Sequence, residues 1–141
     1  MGNQERPFEF QATLRQLEEG MEILHESIER LRKSTGRDQD DKSLMLFELA
    51  VAEIGANVLT HGREGGTGIP VDYVLRLEAQ TVQASFADHG PPMAASFDTH
   101  PTMPAATTES GRGLALASSV LDELRYQREG ETNTWRLVKR L

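Results

Sequence analysis

The sequence predicts an α+β fold, a two-layer α/β sandwich with three helices on one face of a mostly antiparallel sheet. Apolar and polar residues alternate with period two in an opening segment and in two later pairs of segments, each pair interrupted only by turn residues. Stretches of helical period lie between them. The order is strand, helix, helix, hairpin, long loop, helix, hairpin, and strands gathered as hairpins bury their apolar faces most simply under helices packed on one side.

Phe8, Phe10, Ala12 and Leu14 alternate with Glu9, Gln11 and Thr13, the period of a half-buried strand. From Leu17, the positions Leu17, Met21, Leu24, Ile28 and Leu31 form one helical stripe, with Glu18, Glu22, Glu26 and Arg30 facing out. STGRDQDD, Ser34 to Asp41, breaks that pattern as a loop. A second helix is expected from about Asp40 to His61, its N-terminal dipole complemented by Asp40 and Asp41 and its end set by Gly62. The glycine-rich stretch Gly62 to Pro70 is expected to be a loop. VDYVLRLEA and TVQASFAD then form a hairpin around Ala79 and Gln80. After Asp88 comes a long segment rich in Pro, Ala, Ser and Thr, of the kind that serves as a lid or is disordered. GRGLALASSVLDEL reads as a glycine turn opening a third helix, and LRYQRE and NTWRLVKRL as a closing strand pair.

The 141 residues suit one domain, 1-141, with no linker or repeat to divide it. No apolar run approaches the ~20 residues of a membrane span. MGNQERPFEF lacks the basic start and apolar block of a secretory signal, so a soluble, cytoplasmic protein is expected, away from the membrane. A net charge of -7 argues against a nucleic-acid surface, and the short basic cluster Arg136, Lys139 and Arg140 reads as the solvated face of the last strand. The absence of cysteine excludes disulfides, thiolate metal sites and cysteine nucleophiles.

Three segments carry possible chemistry. In the second helix, Leu44, Phe47, Val51, Ile54 and Val58 suffice to dock it on a sheet, while Glu53, Asn57 and His61 fall four apart on another face. Taken alone, that ladder is also what a solvent-facing helix looks like. In ADHGPP, an alternating strand ends in Asp88 with Gly90 two residues on; a carboxylate there can accept from an exocyclic amine beside a glycine that admits a flat ring, and the same residues make ordinary turns. In SGRGLAL, glycines before a helix offer free N–H groups to an anion, although a lone GxG equally serves as a flexible helix entry. No segment has the GK[ST] ending of a Walker loop.

In this order, ExxxN followed by HG, DxG, a long loop and GxGL opening a helix resemble the Bergerat-type ATP-binding fold shared by gyrase and histidine kinases. AEIGANVLTHG, ADHGPP, GRGLALASSVLDELRY and NTWRLVKRL resemble more narrowly the RsbW-like anti-sigma-factor serine/threonine kinases of partner-switching systems. The resemblance implies ATP and Mg2+ as ligands. Asn57 would hold the metal that bridges the phosphates, and Glu53 would act as general base or orienter for the attacking hydroxyl. Asp88 would take the adenine amine beside Gly90. Gly111 and Gly113 would turn their amides to the phosphates, with Arg112 and Leu114 in the same glycine box and Thr134 near adenine. It also implies partners: a sigma factor and a STAS-type antagonist whose serine or threonine is phosphorylated. A homodimer is a further implication, with the first strand or the Met21 to Leu31 stripe contributing.

Two departures stand out. Pro92 replaces the second glycine of the family's DxGxG, and the segment Met93 to Ser110 contains no Lys or Arg. Together they keep open a reading in which the chain binds nucleotide and exchanges protein partners without transferring phosphate.

Overall fold

The computed structural model describes residues 7–38, 40–60, 70–92 and 109–141, the stretch 109–112 by its backbone only. The elements are β1 (Phe8–Leu14), α1 (Leu17–Thr35), α2 (Lys42–Thr60), β2 (Val71–Glu78), β3 (Thr81–Asp88), α3 (Glu109–Val120), β4 (Glu123–Glu129) and β5 (Thr132–Arg140). The strands form one five-stranded sheet in the order β1-β2-β3-β5-β4, every neighbouring pair antiparallel. This is the predicted α+β architecture.

Strand alternation sets what lies under the helices. Val71, Tyr73, Leu75 and Leu77 of β2, Val82, Ala84 and Phe86 of β3, and Trp135 and Leu137 of β5 are buried, while the residues between them are not. The β2–β3 turn is the predicted one. Ala79 and Gln80 have φ of 50° and 70°, the left-handed pair of a type I′ turn whose twist matches the strands. Neither residue is a glycine, and outside contacts hold the strained turn: Leu141 N–H donates to the Gln80 carbonyl (2.8 Å) and Arg37 Nη2 to its Oε1 (2.7 Å).

The predicted stripe of α2 is buried in full: Leu44, Phe47, Val51, Ile54 and Val58 are at most 5% exposed. By length and mean hydropathy α2 would be apolar enough to cross a bilayer, but that stripe is spent on the sheet. α1 and α3 both pack on α2. The stripe of α1 differs from expectation. Leu24, Ile28 and Leu31 are buried, but Leu17 is 43% exposed and Met21 half-buried. Gly20 and Ser27 take up the buried face instead: a Cβ at Gly20 would stand 2.6 Å from Leu59 Cδ1, so the first turn of α1 lies tight on the end of α2 and turns Leu17 outward. Ser27 is satisfied by the Leu24 carbonyl (2.7 Å) and the Tyr73 hydroxyl (2.8 Å), a buried polar pair that apolar periodicity does not reveal.

Asp41 is the residue that starts α2. Its carbonyl accepts from Met45 N–H (3.0 Å) and its Oδ1 from Leu44 N–H (3.0 Å), the geometry of an N-cap. That backbone bond, with the Arg37 guanidinium beside it, holds the Asp41 carboxyl below its ordinary value of 3.8 against the opposing effect of burial. The charged form is therefore bound more tightly in the fold, so its stabilisation is full above that value and lost as pH falls through the lower folded one. Asp41→Ala is expected to destabilise the protein by about 1 kcal/mol near neutral pH. Urea denaturation should show this gap closing as both proteins are acidified below pH 3.8.

α3 departs from prediction at both ends. It begins at Glu109, so the GRG segment lies within its first turns and not in a turn before it, and it stops at Val120. Leu121 N–H makes the last helical bond, to Ala117; Asp122 N–H already donates to Val138 in the sheet, and Lys139 Nζ closes the helix on the Val120 carbonyl (2.8 Å). Glu123, expected at the helix end, and Leu124, expected where helix and strand meet, thus belong to β4.

Candidate functional site

The expected site residues gather around the second half of α2. Glu53 and Asn57 are both half-buried, one turn apart on the flank of α2 that α3 covers. Gly113 lies against Glu53: a Cβ at 113 would overlap Glu53 Oε1. The glycine is thus explained by close approach, since only a residue without a side chain lets the carboxylate sit on the first turns of α3. Gly55, between Glu53 and Asn57, packs over Phe86, where a Cβ would be 3.4 Å from the ring. Asp88 lies two residues further along the same face of β3, so the carboxylate at the strand end belongs to the same end of the sandwich.

Asp88 makes the turn that DxG predicts. Its Oδ1 accepts from Gly90 N–H (2.7 Å), and Gly90 is buried. The side chain of Asn133, directly opposite Asp88 in β5, reaches the same oxygen (3.0 Å) and the carbonyls of Gly90 and Pro91 (3.0 Å each). Asn133 Oδ1 in turn accepts from Tyr126 Oη (2.6 Å) and Arg128 Nη1 (2.8 Å), and Arg128 Nη1 also reaches the Gly90 carbonyl (2.9 Å). Sequence reasoning missed all three. The signal was present in NTWRLVKRL, where Asn133 holds an inward position of an alternating strand otherwise filled by Trp135 and Leu137.

Thr134 is corrected by the same register. It pairs with Ala87, and because side chains alternate along a strand it projects to the sheet face away from Asp88; Asn133 has the place expected of it. The Leu114 side chain, expected in the glycine box, is fully buried in the hydrophobic core, where it anchors α3. Gly111 and Arg112 lie in the first turn of α3. The first N–H groups of a helix have no acceptor within it, and in α3 these belong to residues 109–112, so the expected anion-facing amides are those of Gly111 and Arg112 and not that of Gly113. The Arg112 side chain, His61, the glycine-rich stretch 62–69 and the segment 93–108, where a lid was one expectation, lie outside the described residues.

Asn57 supplies a test of fit to a metal-bound nucleotide. Its Nδ2 is buried and has no hydrogen-bond partner among the described residues. A buried amide left so costs about 1–3 kcal/mol, and it is what a position reserved for a non-protein partner looks like. The two ends of the amide exchange by a flip, so the same position can offer an oxygen to a hard cation.

Over residues 10–139 the chain matches the family model of the histidine kinase-like ATPase domain, and it belongs to that family. ATP is therefore the ligand class for which the domain is built. Solved structures carry the same fold. The RsbU and RsbW domains of Rv1364c from Mycobacterium tuberculosis align with a TM-score of 0.62 and 19% identity, covering 95% of this chain and 32% of that one, so the chain spans about a third of that structure's length. The nucleotide-free catalytic domain of histidine kinase ThkA aligns with a TM-score of 0.55 and 12% identity, over 96% and 95% of the two chains. At these identities the likeness is one of fold. No curated protein matches the sequence.

The Glu53–Gly113 contact separates stability from function. Since the atom in the way is the free end of a flexible side chain, Gly113→Ala is expected to fold normally and to gain up to about 1 kcal/mol from helix propensity. It should nevertheless push the Glu53 carboxylate aside and, if the ATPase-type site carries out phosphoryl transfer through Glu53, lower that activity by about tenfold or more. Urea denaturation and a single-turnover assay on one preparation check both halves.

Proposed function

We propose that the chain is a Mg-ATP-dependent serine/threonine protein kinase that also acts as the anti-sigma factor of a cytoplasmic partner-switching system. One observation carries the reading: a carboxylate, Glu53, is held by the turn of α3 that Gly113 keeps open, one helical turn from an amide, Asn57, with an unpartnered buried atom. Glu53 would accept the proton of the acceptor hydroxyl as its oxygen bonds to the transferred phosphorus and the bond to the ADP leaving oxygen breaks. Asn57 would hold Mg2+, which when bound neutralises charge on the phosphates. Asp88 would receive the adenine amine, and the free amides at the start of α3 would face the phosphates.

A protein acceptor is favoured by what surrounds Glu53. Met45, Leu46 and Leu49 are 50%, 39% and 38% exposed, and on α2 they form an apolar run that leads to Glu53 at helical spacing. The resemblance of the motifs to RsbW-like kinases gives the reading its direction, a STAS-type antagonist as acceptor and a sigma factor as the partner released when the antagonist competes, and a solved structure that includes an RsbW domain shares the fold. The lack of Lys and Arg over Met93 to Ser110 favours the alternative, a nucleotide-dependent switch without transfer.

Incubation with ATP, Mg2+ and STAS-type antagonist proteins of the same organism, followed by mass spectrometry, tests the proposal. Phosphoserine or phosphothreonine on the antagonist is expected. If the two proteins bind but no phosphate is transferred, the kinase reading falls and the switch remains.

A further inference from the structure

We infer that the free edge of β1, with the groove that α1 forms beside it, is a second binding surface, built for an extended protein segment with Arg or Lys at alternate positions. The surface is separate from the nucleotide site: β1 is the terminal strand of the sheet and packs against α1, whereas Glu53 and Gly113 lie where α2 meets α3. An edge strand presents unpaired N–H and C=O groups that another chain can complete, and exposed edges are ordinarily guarded by charge or proline. The two edges of this sheet differ in that respect. β4 reads ELRYQRE and is charged at Glu123, Arg125, Arg128 and Glu129. β1 reads FEFQATL, contains no proline, and is charged only at Glu9, which Arg76 of β2 already engages (3.1 Å).

Phe8, Phe10 and Ala12 face the helix layer yet are only half-buried, because among the described residues no strand lies beyond β1 to cover them. Phe10 and Ile23 line a groove of about 330 Å3 together with Glu19, Glu22, Glu26 and Arg30. The three glutamates recur at spacings of three and four and so share one flank of α1. Arg30 shows how a cation is held there: its guanidinium lies 5.6 Å from the Phe10 ring centroid and donates to Glu26 (3.1 Å). Glu19 and Glu22 are exposed and have no ion pair among the described residues. A strand added to β1 would bring every second side chain to this groove, where an arginine repeats the arrangement of Arg30, its stem on apolar surface and its head at a carboxylate. A second copy of β1 does not fit, since it has no cation to offer and would set the glutamates of both copies against each other.

Fluorescence anisotropy on the full chain tests this with a labelled seven-residue peptide of alternating arginine and valine, beside the same peptide with glutamate for arginine and one with N-methylated backbone amides. The arginine peptide should bind and the glutamate peptide should not. N-methylation should weaken binding about tenfold or more, because the added strand loses its main-chain donors. Glu19→Lys with Glu22→Lys should weaken the arginine peptide about tenfold. Glu129→Lys with Glu131→Lys, the same change of charge at the β4–β5 turn, should leave it unchanged. All four positions are exposed, so both variants should fold, which circular dichroism checks. Failure of the arginine peptide to bind overturns the inference, as does an equal loss in the two variants or equal binding of the N-methylated peptide. Sedimentation that shows a wild-type dimer, returned to monomer by Ile23→Asp, overturns it as well, by giving the groove to a second copy.

Discussion

Glu53→Gln, which removes the base of the proposed kinase, is expected to lower phosphoryl transfer to a protein hydroxyl by about a hundredfold to ten-thousandfold, the usual contribution of a positioned general base. Its effect on nucleotide affinity should be small. The amide has nearly the shape of the carboxylate and so still fits the space that Gly113 leaves, and the groups assigned to the nucleotide, Asp88, Asn57 and the amides at the start of α3, are unchanged by the substitution. Single-turnover kinetics with saturating ATP, beside calorimetry with ADP, separates the two quantities. If transfer continues at the wild-type rate, Glu53 is not the base. If partner release also proceeds without it, the non-catalytic switch is the better description.

Trp135→Ala is expected to destabilise the fold by about 3–5 kcal/mol, the cost of emptying a large buried aromatic site. Trp135 is 2% exposed, packs its ring at a tilt against Tyr126 (centroids 4.9 Å apart), and pairs across the sheet with Phe86 on one side and Tyr126 on the other. These neighbours join the core to the site, since Phe86 lies under Gly55 and Tyr126 bonds to Asn133. The variant should therefore also bind ADP less tightly. Because Trp135 is the single tryptophan of the chain, unfolding must be followed by far-UV circular dichroism and not by fluorescence. Excess ADP should recover part of the lost stability through its preference for the folded state, by about 2.7 kcal/mol at a hundred times the dissociation constant.

The elements whose apolar period is long and unbroken could be read from residues alone. β1, β2 and β3 have the predicted bounds, apart from a residue at the end of β2, and α2 buries its whole predicted stripe. Readings failed where a tertiary contact outweighed a local pattern. Leu17 continues the apolar spacing of α1, yet the tight approach of Gly20 to Leu59 rotates the helix away from it. VLDEL continues the pattern of α3, yet Lys139 and the pairing of Asp122 with Val138 end the helix at Val120.

The site divides along the same line. The sequence by itself determined the candidate groups, Glu53, Asn57, Asp88 and the glycines, because their spacing along single elements and their order along the chain are properties of the string. Their partners were decided only by the tertiary structure. That Gly113 clears room for Glu53 depends on how α3 lies across α2. That Asn133 and not Thr134 meets Asp88 depends on a cross-strand register, where a shift of one residue exchanges the two faces of the sheet. Contacts between elements distant in sequence leave no local period, so the polar cluster that steadies the Asp88 turn emerged only when β3, β4 and β5 were placed side by side.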